Sequence, residues 1–82
     1  MEKNIIVKVF SLEKGMEEYN DVTAIRIKSE DYNLLIMKDY MPIIGQINGS
    51  IQIEGIDINE TINNIKGYYI NYDNVFNIII EE

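Results

Sequence analysis

The strongest constraint on this chain is an alternation of apolar and polar side chains with a period of two, interrupted at short intervals by turn residues. Ser50-Ile51-Gln52-Ile53-Glu54 alternates strictly. In Val22-Thr23-Ala24-Ile25-Arg26-Ile27-Lys28 the pair Ile25 and Ile27 shares one face, with Arg26 and Lys28 on the other. Successive side chains of a strand point to opposite faces, so this spacing describes half-buried strands and excludes amphipathic helices over the same residues. Asn4 to Ser11 reads as a first strand, and Tyr68–Tyr72 and Val75–Ile80 as a closing pair. Leu34 to Met37 is apolar throughout, as expected of a strand buried on both sides or placed centrally.

Turn chemistry separates these runs. Asn48-Gly49 lies between Ile43–Ile47 and Ile51–Ile53, and Asp73-Asn74 between the last two strands. Both pairs tolerate positive φ, the requirement of a two-residue hairpin. Glu13-Lys14-Gly15, Glu30 to Asn33, Lys38 to Pro42 and Glu54-Gly55 supply the other breaks. Ile56 to Ile65 fits neither period well. An irregular strand is preferred there to a helix, because Asn63-Asn64 opposes helix formation. Eighteen isoleucines against one alanine add a composition suited to sheet. Strands recurring every 8–12 residues predict an all-β fold, a two-sheet antiparallel β-sandwich of about eight to ten short strands. The expected inward set is Val7, Val9, Ile25, Ile27, Leu35, Ile51, Ile53, Ile70, Phe76 and Ile78.

Eighty-two residues correspond to one domain, 1–82. The chain has no cysteine and no histidine, which excludes disulfides, thiol chemistry, structural zinc and imidazole bases. Seven basic against fourteen acidic residues give a net charge of −7, which opposes binding to nucleic acid and to anionic lipid. No secretory leader or bilayer-spanning apolar run is visible, so a cytoplasmic, soluble protein is expected.

The residues that could carry chemistry are few. The carboxylates of Glu13, Glu17, Glu18, Asp21, Asp57 and Glu60 read as a solvated surface, and Asp57 to Ile62 lacks the glycine a calcium loop needs at its sixth position. Ser11, Ser29, Ser50, Thr23 and Thr61 have no histidine to activate them and no Gly-x-Ser-x-Gly elbow. Tyr68, Tyr69 and Tyr72 would need a basic groove to serve as a stacking platform, and Arg26 is the chain's single arginine. These observations predict a non-enzyme without catalytic residues, metal site or cofactor.

Read together, the stretch from Ile25 to Ile44 resembles, without a gap, the N-terminal domain of the epsilon subunit of F-type ATP synthases. That family carries a strand, a polar hairpin, a short apolar strand and a Pro-x-His-Ala-Pro element followed by two apolar residues. Pro42 stands at the second proline, Ile43-Ile44 at the apolar pair and Tyr40-Met41 at His-Ala. Val7 to Glu13 is similar to the opening strand and its turn, Ile47 to Ile53 to a Gly-centred turn, and Lys66 to Ile79 to the closing strands. The family's C-terminal helical hairpin has no counterpart in these 82 residues.

The resemblance implies a non-catalytic, epsilon-like central-stalk subunit or paralogue. Its partners would be the gamma subunit and the c-ring, its place ATP synthesis coupled to proton transport, and its membrane contact indirect. It implies an interface at Asp31, Asn33, Tyr40 and Gly45, beside which Tyr32, Met41 and Pro42 place large apolar groups in turns. A second class stays open: a stand-alone sandwich that binds another protein or associates with itself. Tyr40 and Met41 also have two readings, as contact anchors or as a lid folded over the end of the core.

Overall fold

A computed structural model describes residues 4–81. Six strands make up the described fold: β1 (Ile5–Ser11), β2 (Gly15–Ser29), β3 (Asn33–Met37), β4 (Ile43–Gly55), β5 (Asn59–Tyr72) and β6 (Val75–Glu81). They form one sheet in the order β1-β6-β5-β4-β2-β3, and β1 also pairs with β2. The result is a closed five-stranded barrel with β3 attached to the side of β2. The all-β class holds, whereas the two-sheet sandwich of eight to ten strands gives way to fewer, longer strands that bend around the core.

The bends explain the difference. Asp21 and Asn64 lie inside strands at φ 58° and 57°, close to irregularities in the β1–β2, β2–β4 and β4–β5 registers. Asp and Asn reach the left-handed region at little cost, so one such residue makes a bulge and the strand turns without ending. In this way β2 pairs with β1 up to Val22 and with β4 and β3 beyond it. Of the segment Ile56–Ile65, residues 59–65 belong to β5, the irregular strand preferred there to a helix, and residues 56–58 form the turn before it.

Asn48-Gly49 is a second correction. It makes no hairpin; both residues lie in the middle of β4. A Cβ at Gly49 would land on the Lys28 carbonyl oxygen, so glycine serves close strand approach there. Asp73-Asn74, by contrast, forms the predicted turn, with φ 50° and 63°. A third correction concerns strand direction, since β1 runs parallel to β6 while the other pairs are antiparallel.

The core gathers Ile5, Val7, Ile25, Ile27, Ile53 and Phe76 with nine further apolar residues. Full burial of each large aliphatic side chain stabilises by roughly 1.5–3 kcal/mol before entropy is counted. Tyr69 stacks on Phe76 at 5.4 Å between ring centroids. Leu35 and Ile70 of the expected inward set face outward. The apolar run 34–37 lies at the side of the barrel, and of its residues only Ile36 is fully buried.

Candidate functional site

Apart from Asn33, the residues expected to carry an interface fall on two neighbouring features, a cleft and a loop. The cleft exists because β4 pairs with β2 only from Gly49 onward. Its first half, residues 43–48, therefore has one strand edge open to that side. The β2–β3 turn, closed by a 2.8 Å bond from the Ser29 N–H to the Tyr32 carbonyl, covers the end of this edge. The Glu30 N–H donates to the Asn48 carbonyl at 3.0 Å, and the Asn48 N–H donates to Ser29 Oγ at 3.0 Å. Asn48 Nδ2 donates to Glu30 Oε2 at 2.8 Å.

Tyr32 closes the cleft floor. Its hydroxyl donates to the Gln46 carbonyl at 2.6 Å and lies 2.7 Å from the Tyr69 hydroxyl. One hydroxyl carries one proton, so Tyr69 is the donor to Tyr32. Gly45 lies directly beneath: a Cβ there would overlap the Tyr69 ring and hydroxyl. The cleft has a volume of about 500 Å³, with Asp31, Tyr32, Leu34, Gly45, Gln46 and Tyr69 among its walls. The structure thus brings Asp31, Tyr32 and Gly45 together. Asn33, the first residue of β3, pairs with Lys28 and belongs to an adjoining groove with Arg26 and Leu35.

The second feature is the loop between β3 and β4. Reciprocal bonds tie it to the β5–β6 turn, from the Asp39 N–H to Asn74 Oδ1 at 2.7 Å and from Asn74 Nδ2 to Asp39 Oδ1 at 3.0 Å. Asn71 Nδ2 donates to the Met41 carbonyl at 3.4 Å. Tyr40 is half-buried and packs on the core, while Met41 and Pro42 are exposed. The two readings of this pair are therefore divided between its members: Tyr40 is a lid and Met41 a surface group.

The site offers binding surface and hydrogen bonds, with little to perform a reaction. Among the described residues, no group of three or more acidic side chains is placed to hold a metal. Burial raises the Tyr69 hydroxyl well above the usual tyrosine range, and its bond to Tyr32 adds to the shift. A hydroxyl held neutral in this way does not act as a base near pH 7. Tyr19 moves in the same direction through burial, with Glu17 and Glu60 adding to it.

This has a pH consequence. The folded state keeps the Tyr69 proton above the unfolded value near 10, so the stabilisation is complete below about pH 10 and is lost as pH rises further. Thermal melts between about pH 9 and 11 should show Tm falling above pH 10, with a shallower fall in Tyr69→Phe. Equal slopes in the two proteins would remove Tyr69 from this account.

Tyr69, Gln46 and Ser29 are members of the site that the sequence did not single out as such. Tyr69 reads there as ordinary strand packing, and no local signal marked it, because the alternation that sets Ile70 inward sets Tyr69 outward. Only the register of β5 on β4 turns Tyr69 inward opposite Gly45.

No protein-family model and no curated protein sequence matches the chain. Its fold does match a solved structure. Over 100% of this chain and 67% of the other, it superposes with a TM-score of 0.73 and 14% identity on a chain from the cryo-EM structure of the Tetrahymena thermophila mitochondrial ATP synthase, central stalk and c-ring. At that identity the likeness is one of fold.

Proposed function

We propose that the protein is a non-catalytic, epsilon-like central-stalk subunit or paralogue of a rotary F-type ATP synthase, binding a gamma subunit and the rotor ring. The observation that carries this reading is the whole-length fold likeness to a chain of an ATP synthase central stalk and c-ring. The cleft lined by Asp31, Tyr32 and Gly45 and the exposed Met41–Pro42 loop supply its contact surface, with Asn33 at the margin and Tyr40 anchoring the loop from beneath. On this reading the protein is cytoplasmic and reaches the inner face of the membrane only through the complex.

A pull-down from native membranes, analysed by mass spectrometry, tests the proposal. Co-purification of gamma and c subunits supports it. Met41→Ser should keep the parental Tm and weaken the capture several-fold, as expected of a contact anchor at an interface. Tyr40→Ala should also lower Tm, because it opens a space over the core; the expected cost is about 2–4 kcal/mol. Recovery of the protein alone, or with partners unrelated to the synthase, would overturn this reading in favour of a stand-alone interaction module.

A further inference from the structure

The two halves of the barrel have opposite outer surfaces. On one half, a row across four strands reads Leu35, Arg26, Gln52 and Thr61. It is mostly polar and bonded to the polar residues beside it: Arg26 pairs with Glu54 at 2.8 Å, and Gln52 Nε2 donates to Asn59 Oδ1 at 3.2 Å. On the other half, the equivalent row reads Tyr68, Ile79, Phe10 and Met16, each directly opposite the next in register on β5, β6, β1 and β2. These four are 51%, 59%, 37% and 51% exposed. Ile70 and Ile44, another cross-strand pair, extend the surface beside them. An isoleucine-rich composition does not account for this, because the same chain makes the other half polar. Contiguous exposed apolar surface of this kind marks an interaction site.

We infer that this row is a docking face for an amphipathic helix of another protein, one whose apolar stripe is bordered by Lys or Arg. Geometry favours a helix. Adjacent strands lie about 4.8 Å apart, so the row spans roughly 14 Å with one apolar group per step. A helix places side chains at i, i+3 or i+4, and i+7 along one face at about 5 Å intervals, and about ten residues cover the same length. At the Phe10–Met16 end the face opens into an apolar groove of about 330 Å³, lined also by Leu12, Gly15 and Ile80, which can receive one side chain.

Charge selects the partner. Beside the row Lys8 lies opposite Glu18 and Lys66 opposite Glu81, so the local charges balance and the selection comes from the −7 of the whole chain. A second copy would bring the same excess of carboxylates against itself, whereas a basic-flanked helix is attracted. The inference stands apart from the rotary reading, since it needs no synthase subunit.

The test uses the full chain and two labelled Leu/Lys peptides of about fifteen residues, identical in composition, one with leucines at helical spacing and one with strict alternation. At about 150 mM salt the helical-pattern peptide should bind, and its amide shift changes should map to the outer faces of β1, β5 and β6. Tyr68→Thr/Ile79→Thr should weaken that binding at least tenfold with Tm little changed, and Ile56→Thr, at an exposed isoleucine elsewhere, should not weaken it. Equal binding of both peptides, or no effect of the double variant, would overturn the proposal, leaving charge alone as the cause. A dimer by analytical ultracentrifugation, abolished by the double variant, would also overturn it, with a second copy as the occupant.

Discussion

Ile27→Asp should leave the protein largely unfolded at 25 °C, with far-UV circular dichroism showing the loss of sheet and no cooperative melt. Ile27 is 1% exposed and sits between Ile51 of β4 and Leu34 of β3. The substitution removes a buried aliphatic side chain, worth roughly 2–5 kcal/mol, and places a carboxyl where no donor is available. Together these cost on the order of 5 kcal/mol or more, against a total stability of about 4–12 kcal/mol for a domain of this length. Ile56→Asp serves as the control, because Ile56 is 68% exposed and a surface change of this kind stays within about 0.5 kcal/mol. A melt of Ile27→Asp within a few degrees of the parent would mean that Ile27 does not face the core.

Gly67→Val should be nearly as damaging, for a reason of space. Gly67 lies on the inward row of β5, paired with Ile47 and Ile80, and a Cβ there would overlap the backbone carbonyl of Ile79. Backbone cannot swing aside as a side-chain tip can. The expected loss is about 3 kcal/mol, a fall in Tm of roughly 12–24 °C for a domain of this size. Gly15→Ala makes the comparison: Gly15 has φ 74° with open space around it, so that change carries only the left-handed penalty of about 1–2 kcal/mol. Urea melts of the two variants should rank in this order, and the reverse ranking would show that β5 relaxes away from β6.

The candidate site was partly legible before the fold. Asp31, Tyr32 and Gly45 share one cleft, and Met41 and Pro42 stand exposed on the adjoining loop. What hid the rest is the separation of its parts along the chain. Tyr32 meets Tyr69 across 37 residues, and Asp39 meets Asn74 across 35. No local pattern announces such pairs. The outer apolar row is hidden in the same way, because Phe10, Met16, Tyr68 and Ile79 become neighbours only through strand pairing.

The alternation of Ile25 and Ile27, or Ile51 and Ile53, determined by itself that these residues form strands and which side chains turn inward, because a strand's two faces are set by local geometry. Asp73-Asn74 likewise determined its own turn, through the low cost of positive φ at these two residue types. Whether Asn48-Gly49, Asp21 or Asn64 would turn the chain back or merely bend it was decided only in the tertiary structure. Each of these positions can adopt either conformation locally. The choice rests on which strand lies alongside: Lys28 against Gly49, β1 and then β4 along β2, and β4 along nearly the whole of β5. Those long-range hydrogen bonds turn a predicted sandwich of many short strands into a barrel of a few long ones. They also leave one of its outer faces apolar.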